Sequence, residues 1–91
     1  MSRQRSMEVI EKAEYVTIGE LVRLTETRYS TLKFYTEEGM LPFEQAEENL
    51  TRRYRREESV RRIGWIKERR REGRTIPEIK AMLQTHSEEL L

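Results

Sequence analysis

Two helix-start signatures and two glycine stops partition this chain before any tertiary contact is considered. Thr17-Ile18-Gly19-Glu20 and Thr75-Ile76-Pro77-Glu78 share the T-x-x-E form. In that form the Thr hydroxyl and the Glu carboxylate satisfy free backbone amides of a helix's first turn. Gly39 and Gly73 follow apolar-periodic segments and can end a helix in the left-handed conformation without a Cβ clash. A chain punctuated in this way builds from short helices. Ile18, Leu21, Val22 and Leu24 form one apolar face and predict a helix over 18–25, and a second helix over 29–38 buries Leu32 with one or both rings of Phe34-Tyr35. A longer helix over 57–72 turns Val60, Ile63 and Ile66 inward with Trp65 beside them, and a last helix carries Ile76, Ile79, Met82 and Leu83 on its face. Trp65, next to Ile63 and Ile66, reads as core filling in preference to a stacking surface.

The connections narrow the fold further. Glu26-Thr27-Arg28 is a turn of a few residues, so the first two helices have the look of a helix-turn-helix. Met40-Leu41-Pro42-Phe43 reads as a brief strand that Pro42 confines to an edge. The acidic stretch Glu44 to Asn49 is then a loop, and Leu50 to Tyr54 a return strand. Together they predict a two-stranded β wing on a mainly α winged helix-turn-helix fold of about four helices. Residues 1–14 offer only Met7, Val9, Ile10 and Ala13 for burial and predict a flexible, frayed or weakly helical arm. Residues 15–84 form the expected domain, and 85–91 a tail that extends the last helix or frays.

Composition excludes more than it assigns. With 91 residues there is room for one small domain. The absence of cysteine removes disulfides, thiolate metal sites and thiol switches, and His86 as the only histidine removes a His-based metal cluster within one chain. No apolar run of signal-peptide or membrane-span length is present, so a soluble, cytoplasmic protein is expected. No nucleophile beside a base, metal-ligand set or phosphate loop is visible, so an enzyme is not expected; no cofactor is expected, and no small-molecule effector is evident.

The charge is sorted. Although Lys and Arg total 18 against 17 Asp and Glu, residues 52–74 hold eleven of those cations and four of those carboxylates. The block opens with Arg52-Arg53-Tyr54-Arg55-Arg56 and points to a polyanion partner, which responds to the local field of one face and not to the total.

With helix, turn, helix, wing, long basic helix and short helix in that order, the chain resembles the DNA-binding domain of the MerR family of bacterial regulators. The resemblance spans roughly residues 15–84. It rests on TIGELVRLT, STLKFYTEEGML, the RRY of the wing, and the run from Val60 through Ile63 and Ile66 to EGRTIPEIKAML. Several positions depart from the family pattern. Glu26-Thr27 stands where the family has Gly-Val, which implies a wider or less well packed turn. Phe34 replaces the first of two tyrosines and has no hydroxyl for phosphate, Thr51 replaces a wing tyrosine, and Arg69 takes a position that is often apolar. The chain also ends at Leu91, where relatives continue into a dimerisation helix. The resemblance therefore implies a short form without that helix or an effector domain, acting on double-stranded DNA in the bacterial nucleoid.

A major groove admits one helix, so the second helix would present its first turn to base edges. Arg28, Tyr29, Ser30 and Thr31 are placed there. The resemblance carries Lys33 and Tyr35 to positions that contact the DNA backbone, Arg52 to a wing arginine for minor groove or phosphate, and Tyr54 to a phosphate-contacting tyrosine. Arg74 and Thr75 fall at the turn that serves relatives as a second wing; Thr75 reads as an N-cap, and Thr17 completes the expected DNA-facing set. Other readings stand beside these: a core aromatic for Tyr35 and solvated charge for Arg28 and Lys33, while Arg53 and Arg55 alternate with Arg52 and Tyr54 and read equally as DNA contacts or as solvated charge. The remaining cations of the long helix read chiefly as exposed i,i+4 pairs such as Glu58 with Arg62.

Sequence-specific DNA binding for transcription control is the leading expectation. The alternative is an architectural or accessory factor, excisionase-like or for segregation, assembling in tandem on direct repeats. Self-association would then join the acidic patch Glu37, Glu38, Glu44, Glu47 and Glu48 to the arginine-rich helix of a neighbouring copy. A protein-interaction module docking an acidic partner is the reading from a different class.

Overall fold

The computed structural model describes residues 4–48 and 50–90. The first three residues of the expected arm, Asn49 of the expected loop and Leu91 of the tail lie outside the described residues. In chain order the elements are α1 (Met7–Ile10), β1 (Tyr15–Val16), α2 (Ile18–Thr25), α3 (Tyr29–Glu37), β2 (Tyr54–Arg55), α4 (Arg56–Arg71) and α5 (Ile76–Leu90).

Local chemistry sets most boundaries. At the start of α2 the Thr17 hydroxyl accepts from the Glu20 amide at 3.2 Å while the Glu20 carboxylate accepts from the Thr17 amide at 2.9 Å. The Thr75–Glu78 pair repeats this before α5, the hydroxyl accepting at 3.3 Å and the carboxylate at 2.8 Å. Gly39 closes α3 at φ 75°, with the Met40 amide donating back to the Tyr35 carbonyl at 2.9 Å. Gly73 closes α4 at φ 91°, where the Arg74 amide reaches the Arg69 carbonyl at 3.2 Å. In each case the glycine supplies the left-handed residue that lets a following amide satisfy a carbonyl of the helix's last turn.

The core lies where α2 crosses α3 and α4 and where α5 packs on α4. Leu21, Leu32, Ile63, Ile66 and Ile79 are each fully buried there, joined by Met40 and Leu41 from the turn after α3. Val60 and Trp65 pack against it in part, in keeping with the inward face expected for the long helix, as does Ile76 at the start of α5. α5 continues to Leu90, as the extension reading allowed.

Two features differ from the sequence reading. The two-stranded sheet is not the wing hairpin: β1 pairs antiparallel with β2, Tyr15 opposite Arg55 and Val16 opposite Tyr54. The wing is a loop pinned by one antiparallel bridge, Glu44 to Arg53, with amide–carbonyl distances of 2.7 and 2.8 Å. Met40 and Leu41 are drawn into the core and Pro42 has no amide to donate, so that segment cannot run a ladder. The second difference is the expected arm. Ile10 is 0% exposed, and the segment is held by polar bonds that an apolar count does not register. Arg5 grips Glu20 through two 2.7 Å bonds, Arg23 donates to the Arg5 carbonyl at 2.6 Å, and Arg56 donates to the Ala13 carbonyl at 2.7 Å.

Candidate nucleic-acid interface

α3 begins without a side-chain cap. Arg28 holds extended backbone before it, at φ −63° and ψ 143°, and its side chain stays at the surface. Tyr29 is 54% exposed, Ser30 and Lys33 are exposed, and Thr31 is half-buried. The opposite side of the helix carries Leu32, Tyr35 and Thr36 into the interior. Tyr35 is 5% exposed; burial pushes its phenol pKa up, with the Arg70 charge acting the other way. It sits as the core aromatic of the second reading given for it.

On the wing, Arg52 and Arg53 are exposed. Arg52 lays its guanidinium over the Phe43 ring, 4.6 Å from the centroid. Tyr54, expected to contact phosphate, is instead an interior residue at 0% exposure, its hydroxyl 3.0 Å from that of Thr36 on α3. The cause is strand alternation. Pairing with β1 turns Tyr54 and Val16 toward the core and Arg55 outward, as the two-residue period of a strand demands. The buried Thr36–Tyr54 bond fixes the base of the wing against α3, which nothing in the spacing of either residue announced. The one available signal was that Thr36 lies four residues after Leu32, on the buried side of its helix.

Ion pairing sorts the cations. Arg55 faces Glu44 at 3.5 Å, Arg69 meets Glu72 at 2.9 Å, Arg71 meets Glu68 at 3.1 Å, and Arg74 meets Glu72 at 3.5 Å. The Arg69 guanidinium also lies 5.2 Å over the Trp65 ring, so its charge finds a carboxylate and a ring in place of an apolar contact, while its Nε is buried without a hydrogen-bond partner. Among the described residues Arg28, Lys33, Arg52 and Arg53 form no ion pair. The Glu58–Arg62 pair expected on α4 is replaced by burial: Arg62 is 7% exposed, its Nη1 donates to the Met40 carbonyl at 3.5 Å, and its Nε has no partner. Arg62 falls on the inward side of the helix, beside Ile63 and Ile66.

Thr17 spends its hydroxyl as the N-cap acceptor of α2. The acidic patch is partly consumed within the chain. Glu38 holds Lys80 at 3.0 Å, and Glu44 accepts from the Tyr15 hydroxyl at 3.0 Å besides facing Arg55. That hydrogen bond to a carboxylate raises the Tyr15 pKa above its ordinary value. No helix among the described residues is long and apolar enough to cross a membrane.

Two helices joined by a tight turn, followed by a bridged wing fastened to the second helix, define a winged helix-turn-helix protein. The family described as MerR HTH family regulatory protein matches residues 16–86. The chain belongs to that family, and it is by this membership a DNA-binding transcriptional regulator. No curated protein and no solved structure matches it.

Proposed function

We propose that this regulator reads duplex DNA with the first turn of α3 in the major groove and grips the flanking backbone with the wing. Arg28, Tyr29, Ser30 and Thr31 would meet base edges, Lys33 phosphate, and Arg52 and Arg53 phosphates or the minor groove, with Arg74 at the second wing. The observation that carries this reading is the distribution of unpaired charge: Arg28, Lys33, Arg52 and Arg53 are exposed and without carboxylate partners among the described residues. They lie on two elements that the Thr36–Tyr54 bond ties together. Arginine suits the wing because its planar, permanently charged fork matches phosphate geometry. Assembly in tandem through the acidic patch has less support, since Glu38 and Glu44 already have partners in the same chain.

Selection of bound fragments from genomic DNA, followed by footprinting and titration across salt, tests the proposal. Arg52→Ala should weaken binding to every duplex and lower the salt slope by about 1. Tyr29→Ala or Thr31→Ala should change which sequence is preferred. Absence of association with assorted duplexes at low ionic strength would overturn it.

A further inference from the structure

An exposed arginine on a loop is normally a poor instrument of recognition, because ordering its four-bond stem costs rotamer entropy. Arg52 is held differently. Its guanidinium carbon lies 4.6 Å from the Phe43 ring centroid, within cation–π range. Phe43 in turn rests on Tyr54, with centroids 6.1 Å apart and planes inclined at 49°, a favourable tilted aromatic geometry. Tyr54 is fully buried, and its hydroxyl is 3.0 Å from that of Thr36, which also lies 2.9 Å from the Leu32 carbonyl inside α3. The Glu44–Arg53 bridge sets this stack by bringing the segment after Pro42 alongside the segment before Tyr54. A continuous path of contacts thus runs from an unpaired wing cation to the middle of α3.

We propose that Phe43 is a positioning residue for DNA recognition. Its ring serves as the platform that aims the Arg52 guanidinium, and through Tyr54 and Thr36 it registers that aim to α3. Stacking on the ring uses the flat face of the guanidinium and leaves its edge N–H donors for phosphate oxygens, so platform and ligand do not compete. The inference rests on the reading above that Arg52 meets DNA. It adds that wing and second helix approach the duplex as one unit, with Phe43 as the joint.

The test is a double-substitution cycle read by duplex affinity and salt slope, with thermal unfolding run alongside on each variant. Phe43→Leu keeps apolar bulk over Tyr54 but removes the π face, and should weaken duplex binding by about 2- to 5-fold. Phe43→Trp, which offers a stronger face, should restore it. In an Arg52→Ala background Phe43→Leu should cost nothing further. If Arg52→Ala leaves affinity and salt slope unchanged, the wing reading fails and the platform with it. If Arg52→Ala weakens binding but Phe43→Leu does not, the platform alone is overturned. A Phe43→Leu loss that persists without Arg52 would also overturn it, showing that the ring meets DNA itself.

Discussion

The ammonium of Lys67 on α4 donates to the Thr27 hydroxyl and to the Thr25 carbonyl, both at 3.1 Å, and so closes the helix-turn-helix turn from outside. Thr27 is 7% exposed, and its hydroxyl donates to the Thr25 carbonyl at 3.2 Å. Between them Glu26 takes φ 51° and ψ 42°. The turn therefore keeps a left-handed shape without glycine. A wider or less well packed turn was the expectation from Glu26-Thr27; what the structure holds is a tight one with Thr27 buried, strained at Glu26 and braced by Lys67.

Glu26→Gly should stabilise the domain by about 1 kcal/mol, because a Cβ in the left-handed region meets the following carbonyl and glycine has none. Part of that gain is offset by the freer unfolded chain. Urea unfolding of Glu26→Gly against Glu26→Ala separates backbone strain from charge. If alanine stabilises as much as glycine, strain at Glu26 is not the cause.

Replacing Lys67 by methionine should cost about 1 kcal/mol or somewhat more, since a nearly buried Thr27 hydroxyl and the Thr25 carbonyl both lose a charged donor. Thermal unfolding measures the loss. An unchanged midpoint would mean that solvent satisfies both acceptors equally well.

Acid should unfold the protein partly through Glu20. The Arg5 guanidinium, and then the Thr17 amide, hold this carboxyl below its ordinary value against the opposing effect of burial. A depressed folded pKa means that the contribution is fully present above the ordinary glutamate value of the unfolded chain and is lost as pH falls through the folded value. Thermal midpoints followed from neutral to acid pH should fall more steeply in the native chain than in Glu20→Gln. Parallel curves would show that Glu20 is not linked to stability.

Glu44→Gln should tighten duplex binding about 2- to 5-fold at low salt. It removes a carboxylate that faces Arg55 at 3.5 Å and lies beside the unpaired wing arginines, where like charge opposes phosphate. Glutamine keeps an acceptor for the Tyr15 hydroxyl, so the wing stays anchored. Duplex titration decides the matter. Weaker binding would mark Glu44 as a strut whose charge the wing requires.

What could be read from the chain alone was set by interactions within a single turn. Thr17 with Glu20 and Thr75 with Glu78 satisfy amides three residues away, and Gly39 and Gly73 close helices by bonds that begin in the same helix. These contacts need no partner from elsewhere, which is why α2 runs from Ile18 to Thr25 as its residues prescribe. The same locality made the family pattern visible, because its motifs are those short helices and their stops.

Tertiary structure decided which side of the molecule each borderline residue joined. Tyr54 and Arg55 are equally plausible surface residues until β1 arrives from the N-terminal segment and imposes a register that buries one and exposes the other. Arg62 on α4 and Ile10 on α1 were likewise buried by neighbours from elsewhere in the chain. The free energy of burying a side chain depends on the neighbours that cover it, and those neighbours come from remote parts of the chain. Capping chemistry therefore delimited the helices, while the packing of distant segments chose which of the borderline residues stayed at the surface.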